Sequence, residues 1–269
     1  VLSRLGHTIR EYNRQLNRFH FNEAAKVIYD FTWNGFCDWY VEIAKTRFYS
    51  EDETAKDITR NITVRCIRTV LALLHPYAPF ITEELWVHFK ETDEPDLIVS
   101  PWPDYEDDWV NDQAEKDMLV LQNVITAIRS VRSRMNVSPS KKSDLVVRCT
   151  NEQGTFIHTH EQLLRSLANI GSFSQGTNIE KPPQSATAVV HGMELYIPLG
   201  GLVDLDKEKS QLNKRKDKIE SLLSDIEKKL ANEEFLIRAP EEIVEKEHQK
   251  MGELTDELQK VTANLEMLQ

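Results

Sequence analysis

This chain of 269 residues lacks long apolar runs, a secretory signal and clustered cysteines. No run of about eighteen apolar residues occurs, so we expect no membrane-spanning helix. The three cysteines, Cys37, Cys66 and Cys149, lie in apolar contexts without the spacing of a metal site. Such cysteines are typical of buried thiols in a reducing compartment, and they predict a cytoplasmic protein.

Positive charge is also scarce overall, since 33 Lys and Arg stand against 44 Asp and Glu, for a formal net charge of −11. This balance disfavours indiscriminate nucleic-acid binding, because phosphates are repelled at long range. Local basic patches remain compatible with it. The composition, 40% hydrophobic and 29% charged, indicates helix-rich domains, and the length suffices for two or three cores.

Helical periodicity runs through residues 1–137. The first helix has one apolar stripe, formed by Leu2, Leu5, Ile9, Tyr12, Leu16 and Phe19. The stretch from Phe21 to Tyr49 contains no proline and is apolar on two faces, which predicts a long central helix covered on both sides. We therefore expect Trp33 and Trp39 to be largely buried. An aromatic ligand cage is the alternative, but no convergent charged groups lie among these rings.

Further helices of the same bundle follow. A third helix ends before Pro76, and a short fourth helix from Phe80 to Lys90 is expected to bury Ile81 and Leu85, with Trp86 or Phe89 as further buried candidates. The acidic segment 91–112 has no periodicity, and we expect an irregular loop pinned by buried rings such as Trp102. Its carboxylates lack the glycine-punctuated spacing of a calcium loop, so a metal or acid–base site is the weaker interpretation. A fifth helix begins at Asp112.

Two groups of cations in the bundle are candidates for nucleic-acid contacts. The first group lies on the first helix and the second at the exit of the fifth helix: Arg4, Arg14 and Arg18, then Arg129, Arg132, Arg134, Lys141 and Lys142. Solvated faces and the helix macrodipole offer structural explanations for such charges. The second group exceeds what the dipole requires, and therefore favours a nucleic-acid patch.

In residues 138–200 the spacing of apolar residues changes from helical to partly alternating, which predicts a small α/β subdomain. LVVRC is a β-branched strand pattern, and two alternating runs, 188–191 and 194–198, are joined tightly through Gly192 as a hairpin. Between the first strand and the hairpin lie a polar helix-like piece with Leu163, Leu164 and Leu167 and then the Gly-, Ser- and Pro-rich stretch GSFSQGTNIEKPPQS. His158 and His160 are two residues apart, but no third metal ligand accompanies them.

Heptads fill residues 201–269. Apolar residues recur every seven positions at Leu205, Leu212, Ile219 and Ile226, and again at Val244, Met251, Leu258 and Leu265. The segment ANEEFLIRAP separates the two stretches, which predicts an antiparallel coiled-coil hairpin about 40 Å long. The candidate nucleic-acid contacts on this arm are Lys214, Arg215, Lys228, Lys229, Arg238 and Lys250.

Several motifs together resemble the C-terminal region of bacterial valyl-tRNA synthetases. They are FTWNGFCDWYVE from Phe31, LLHPYAPFITEELW from Leu73, SPWP from Ser100, IRSVRSRMNVSPSKK from Ile128 and IPLGGLVD from Ile197. The central motif is shared with isoleucyl, leucyl and other class I relatives. The ending distinguishes the valyl branch, because isoleucyl-type chains are expected to end in a zinc-binding cysteine cluster, which this sequence lacks.

The resemblance implies a mainly α fold: a class I anticodon-binding helical bundle over 1–137, the α/β subdomain over 138–200 and a coiled-coil tRNA-binding arm over 201–269. It implies a valine-specific tRNA as partner, with the arm reaching the outer corner of the tRNA. Enzymes of this family join valine to tRNA using ATP through HIGH and KMSKS signatures, neither of which occurs in this sequence. We therefore expect a fragment that is inactive by itself, with no catalytic residue, metal or cofactor of its own and with ATP bound by the missing catalytic domain.

A protein-interaction module is the alternative from a different class. In that case the heptads would recruit another coiled coil, and the basic residues would only be solvated faces. The resemblance favours a monomer that binds tRNA and packs with the missing catalytic and editing domains of the same chain.

Overall fold

The computed structural model describes the chain except for residues 105–106, 203–204, 233–239 and 268–269. It contains two compact units, Val1–Val120 and Leu121–Gln269. The helices are α1 (Leu2–Leu16), α2 (Phe21–Asp30), a π-helical segment (Phe31–Val41), α3 (Glu42–Phe48), α4 (Glu53–Leu74), α5 (Pro79–Trp86), α6 (Asp112–Arg134), α7 (Asn151–Thr159), α8 (Glu161–Ala168), α9 (Leu205–Leu230) and α10 (Glu241–Met267). The strands are β1 (Ser143–Arg148), β2 (Ile170–Gly176), β3 (Ser185–Val190) and β4 (Met193–Pro198). The predicted mainly α fold with a small sheet is confirmed.

The core of the first unit lies between α1, α2 and α4. Leu5, Ile9 and Tyr12 of α1 are fully buried at the predicted helical spacing. They pack in one cluster with Ile28 of α2 and Leu73 of α4. Fully burying such aliphatic side chains contributes about 1.5–3 kcal/mol each, so this cluster holds the bundle together.

Phe19 was predicted at the end of the α1 stripe but is exposed. The helix ends at Leu16, and Phe19 has a φ of 58°, in the left-handed region. Its side chain therefore leaves the direction of the buried stripe and contacts the ring of Phe21 at 6.3 Å between centroids.

The long central helix is confirmed, but its middle is π-helical. α2, the π-helical segment and α3 follow one another without a break. A π-helix makes i→i+5 hydrogen bonds, so residues five apart come to the same face. Phe31 and Phe36 are accordingly both buried, with stacked rings 6.4 Å apart between centroids.

The prediction that Trp33 is buried is wrong, because the second apolar face of this helix is open to solvent. Trp33 is 53% exposed, and Tyr29 beside it is exposed as well. Among the described residues, α1 and α4 cover the face that carries Phe31 and Phe36. Trp39 is half-buried.

The side of α5 that faces the core differs from the prediction except at Trp86. Ile81 and Leu85 are exposed, whereas Thr82 and Trp86 are buried. The helix begins at Pro79 and has only about two turns. Thr82 and Trp86 are four residues apart, so they lie on the same side of the helix and form its whole buried face. The indole Nε1 of Trp86 donates a hydrogen bond to the carbonyl oxygen of Pro95.

In the acidic loop the ring of Trp102 is exposed rather than buried. The indole still anchors the loop, since Trp102 Nε1 donates to Asn13 Oδ1 at 2.8 Å and its ring lies 5.9 Å from that of Tyr12. The loop is therefore attached to α1 by one face of the indole while the other face contacts solvent.

The second unit contains a mixed four-stranded sheet of order β2-β1-β4-β3. β1 and β2 are parallel and are connected through α7 and α8, while β4 is antiparallel to β1 and β3. The predicted hairpin through Gly192 is confirmed as β3 and β4. His191 and Gly192 have φ of 49° and 78°, and two consecutive positive φ values are what a two-residue type I′ turn requires.

Strand β2 is the element that the sequence prediction missed. It begins at buried Ile170 and includes the first six residues of the Gly-, Ser- and Pro-rich run, for which no strand was predicted. Its backbone pairs with β1, with Phe173 beside Leu145 and Gln175 beside Val147. The pairing partner, rather than local propensity, makes this polar run a strand.

The predicted helical hairpin is confirmed as α9 and α10, which we call the arm. Ile219 and Ile226 of α9 and Val261 of α10 are buried at heptad positions. The tip predicted around Phe235 to Ile237 lies outside the described residues. Within the part of the chain that the structure describes, no helix has the length and apolarity needed to cross a membrane.

Candidate nucleic-acid interface

The cations of α1 differ in how firmly other residues hold them. Arg14 forms a two-point ion pair with Glu11, with its Nη2 2.6 Å from Oε1 and its Nε 2.7 Å from Oε2. Hydrogen bonds from Arg14 and Gln15 lower the pKa of Glu11 to about 2. Arg18 is exposed just beyond the end of α1. Because Arg14 is already paired with Glu11, Arg18 is the better placed of the two for an incoming phosphate.

Arg4 lies on the turn of α1 that faces Gly35 in the π-helical segment. A Cβ added at Gly35 would lie 3.5 Å from Cζ of Arg4. The guanidinium therefore covers the backbone at Gly35, although the residue as a whole is exposed. Its exposed edge leaves it available to an anion.

Three arginines near the end of α6 have three different environments. Arg129 is exposed, and its Nε donates to the carbonyl oxygen of Leu167 at 2.9 Å. Arg132 is only 7% exposed, and burial lowers its pKa. Arg134 is exposed, and no carboxylate of the described residues pairs with it. Of the three, Arg134 is the one with a guanidinium open to a ligand.

Arg132 holds together the loop that follows α6. Its Nη1 donates to Ser143 Oγ at 2.6 Å, and its Nη2 donates to the carbonyl oxygens of Lys141 at 2.7 Å and Ser138 at 3.3 Å. These acceptors are all within the protein, so the buried guanidinium satisfies its donors there. Its tRNA-contacting role remains only a prediction, and its surroundings favour a structural one.

The two lysines of this loop also differ. Lys141 Nζ donates to the carbonyl oxygens of Gly201 at 2.9 Å and Leu202 at 3.0 Å, just before the arm begins. Lys142 is exposed and has no ion pair with any described residue. Lys141 therefore stabilises the backbone just before the arm, while the charge of Lys142 is exposed to solvent.

On the arm, two cations link the helices. Arg215 Nη2 lies 2.6 Å from Glu257 Oε1, and Lys229 Nζ lies 3.3 Å from Glu247 Oε1. Both pairs join α9 to α10, and their opposite order along the two helices fixes the antiparallel arrangement.

The pairing also sets which residues share a level on the arm. Since Lys229 faces Glu247, Lys250 is displaced from that level by three residues, or about 4.5 Å. Lys228 and Lys250 are exposed, as is Lys214 nearer the start of α9. None of these three has an ion pair among the described residues. Lys228, Lys229 and Lys250 therefore lie at neighbouring levels of the arm, whereas Arg238 lies outside the described residues.

A groove at the base of the arm contains residues that the sequence prediction did not include. It encloses about 580 Å³ and is lined by Arg134, Asn136, Gln211, Arg215, Lys260 and Asn264 among others. Lys260 and Asn264 could have been found by matching levels along α9 and α10 from the heptads. Their nearness to Arg134 depends on how α6 meets the arm, which no sequence pattern indicates.

Metal ligation is not suggested by the side chains that the structure describes, among which no group of three or more His, Cys, Asp or Glu could hold an ion. His158 Nδ1 lies 3.2 Å from Oε2 of Glu161, the first residue of α8. His160 Nδ1 contacts the carbonyl oxygen of Phe156 at 2.9 Å. Both histidines therefore have local partners.

Two sequence-family models match the chain. The model described as "Anticodon-binding domain of tRNA ligase" matches residues 1–147. The model described as "Valyl tRNA synthetase tRNA binding arm" matches residues 204–269, the stretch that contains α9 and α10.

Curated relatives match over nearly all of the chain. A valine–tRNA ligase of Oceanobacillus iheyensis is 36% identical over 269 residues, which is 100% of this chain and 30% of that protein. One from Thermotoga maritima is 36% identical over 273 residues with the same two coverages. One from Bacillus subtilis is 36% identical over 251 residues, covering 93% of this chain and 28% of that protein. The chain therefore spans about 30% of the length of these relatives.

Proposed function

The chain belongs to the family of tRNA ligases that carry this anticodon-binding domain, and from that membership we propose that it is a tRNA-binding part of a valine–tRNA ligase. The observation that carries the proposal is the match of the tRNA-binding-arm family to residues 204–269, where α9 and α10 carry exposed cations. Lys214, Lys228 and Lys250 have no carboxylate partner among the described residues, so their charges are available to phosphates.

The proposed division of labour has three parts. The bundle of residues 1–137 contacts the anticodon side of the tRNA, the subdomain of residues 138–200 supports the arm, and residues 201–269 contact the outer corner of the tRNA. Lys141 supports such an arrangement, because its ammonium bonds the backbone just before the arm. Phosphate contacts position a nucleic acid without reading its sequence, so the arm supplies affinity and orientation rather than selectivity.

The ligation reaction is assigned to the whole protein rather than to this stretch. Relatives named valine–tRNA ligase are about three times as long as the chain, which supports joining of valine to tRNA with ATP outside these 269 residues. We propose that the chain by itself has no aminoacylation or editing activity. A monomer in the cytoplasm fits this role, and the three free cysteines support a reducing compartment.

The proposal is tested by titrating the chain with unmodified valine tRNA and with a non-cognate tRNA at two salt concentrations. We expect binding of both that weakens steeply as salt rises, because phosphate contacts release counterions. A preference for valine tRNA would assign part of the specificity to this chain. Absence of binding to either tRNA at low salt would contradict the proposal.

A coiled-coil interaction module is the competing function, and the heptads of the arm are the observation that favours it. Sedimentation of the chain by itself separates the two. Apolar heptad contacts hold or tighten at high salt, whereas tRNA binding weakens. A stable self-associated species together with no tRNA binding would establish the competing function instead.

A further inference from the structure

The groove at the base of the arm, which we call the root groove, has the features of a ligand site. It lies where the end of α6 meets α9 and α10, within the second unit, and encloses about 580 Å³. Sites for small molecules and cofactors commonly measure about 300–1,000 Å³. The root groove is therefore large enough for a nucleotide but too small for a duplex.

Its charged residues favour an anion. Arg134, Arg215 and Lys260 line the groove against a single carboxylate, Glu257. Glu257 is already bound to Arg215, with Oε1 2.6 Å from Nη2. Arg134 and Lys260 are exposed and have no ion pair with any described residue. Two cations from different elements thus face one space with their charge uncompensated, which is the arrangement that binds phosphate.

Its uncharged residues favour more than a bare phosphate. The amide side chains of Gln211 and Asn264 line the groove, and they can both donate and accept hydrogen bonds. Leu212 and buried Val261 also line the groove and are apolar. An apolar surface with amide groups beside it suits an unstacked base, whose edge is read by hydrogen bonds.

From these observations we infer that the root groove binds one unstacked nucleotide of single-stranded RNA. Arg134 and Lys260 contact its phosphates, and Asn264 and Gln211 contact its base or ribose. The inference rests on the proposed tRNA binding but names a site separate from Lys228, Lys229 and Lys250, since Lys260 lies ten residues, or about 15 Å, along α10 from Lys250. The ligand class is a loop or end of an RNA, where bases are free of pairing.

The test uses the chain of 269 residues and a single-stranded uridine hexamer as the probe, followed by fluorescence anisotropy. Lys260→Ala is expected to weaken hexamer binding about tenfold at low salt. It should also lower the salt slope, which is the steepness with which the logarithm of the binding constant falls with the logarithm of salt concentration, by about 0.7, the value for one phosphate contact on a single strand. Asn264→Ala is expected to weaken binding about fivefold with an unchanged slope, because it removes a hydrogen bond and no charge.

Lys181→Ala is the matched control, since Lys181 is exposed, lies outside the root groove and loses the same charge. It is expected to change neither affinity nor slope. Lys260→Gln, which keeps the length of the side chain, serves as a second variant should the alanine variant melt early. Equal hexamer affinity of the Lys260→Ala, Lys260→Gln and Lys181→Ala proteins would overturn the inference.

The outcomes also separate this inference from the proposed function. A chain that binds tRNA but not the hexamer overturns the root groove as a nucleotide site and leaves tRNA binding intact. A chain that binds neither overturns both. Weaker binding of both Arg134→Ala and Asn264→Ala proteins, with a lower slope only for the arginine variant, supports the root groove as a nucleotide site.

Discussion

The Tyr12 hydroxyl donates a buried hydrogen bond of 2.6 Å to the carbonyl oxygen of Leu73. Tyr12 is on α1, and Leu73 lies in the last turn of α4, where a helix leaves its carbonyl oxygens without partners of its own. This bond therefore satisfies a buried acceptor and links the two helices that form the core of the first unit.

We expect Tyr12→Phe to lower the free energy of unfolding by about 1–3 kcal/mol, because the Leu73 carbonyl oxygen is left unsatisfied while the ring still packs. Tyr29→Phe is the control, since Tyr29 is exposed and its hydroxyl has no partner among the described residues. Urea unfolding of both variants provides the measurement. Equal stability of the two would show that the Tyr12 bond contributes nothing.

Ionisation of the buried Cys66 thiol is expected to lower the free energy of unfolding at alkaline pH. Burial raises the pKa of its thiol from 9.0 to about 12. A raised pKa in the folded state contributes stability that is present below the unfolded pKa and is lost as pH rises toward the folded value. The difference in unfolding free energy between the parent and Cys66→Ala should therefore shrink between about pH 9 and 12, as measured by urea unfolding.

Alkylation gives an independent reading of the same thiol. At pH 8 the Cys66 thiol of the folded chain should resist iodoacetamide, because the thiolate is the reactive form and is scarce there. Mass spectrometry of the labelled peptides reports each cysteine separately. Labelling of Cys66 as fast as in the urea-unfolded chain would contradict its burial.

The arm and the β3–β4 hairpin were predictable because each follows from local signals. Heptad spacing leaves one apolar seam for α9 and α10, and Gly192 provides the positive φ that the tight turn needs. Strand β2 was not predictable, since its Gly and Ser residues become a strand only by pairing with β1. The π-helical spacing of Phe31 and Phe36 is likewise invisible to a pattern of 3.6 residues per turn.

For the candidate interface, the surroundings of the predicted cations could not be read from the sequence. Arg132 and Arg134 are two residues apart on α6 and look alike in sequence. The loop that folds back over α6 buries Arg132 and leaves Arg134 exposed. The groove with Lys260 escaped prediction for the same reason, because it forms only where distant segments meet.

Trp33 and Trp86 should respond very differently to truncation. Trp86 is 5% exposed, and the guanidinium of Arg68 lies 4.7 Å from its ring centroid. We expect Trp86→Ala to cost about 3–5 kcal/mol of stability, as for other buried tryptophans. Trp33→Ala removes a ring that is 53% exposed and should cost under about 1 kcal/mol. Chemical denaturation of both variants would contradict the described packing if their order were reversed.

Arg132 and Arg134 form a matched pair that separates a structural role from an RNA-contacting one. Arg132→Ala removes the bonds of a buried guanidinium to Ser143 Oγ and to the carbonyl oxygens of Lys141 and Ser138, and should cost about 2–4 kcal/mol of stability. Arg134→Ala should change stability by less than about 0.5 kcal/mol, because the side chain is exposed. Thermal melts measure the two stabilities. In tRNA titrations at several salt concentrations we expect the opposite order, with Arg134→Ala lowering the salt slope more than Arg132→Ala. A lower slope for Arg132→Ala with unchanged stability would contradict its structural role.

We propose that the arm binds tRNA through phosphate contacts of Lys228, Lys229 and Lys250. Lys229 Nζ also lies 3.3 Å from Glu247 Oε1, so replacing Lys229 by Ala removes an ion pair between the two helices of the arm. Replacement of all three lysines by Arg keeps every charge and is the matched control for their replacement by Ala. Circular dichroism melts show whether each variant keeps the arm folded.

The most direct measurement is the dependence of the tRNA association constant on salt for the parent, the triple Ala and the triple Arg proteins. We predict that the triple Ala protein binds about 1–3 kcal/mol more weakly and has a slope lower by up to about three units, while the triple Arg protein matches the parent. Equal affinity and slope for the parent and a folded triple Ala protein would contradict the claim.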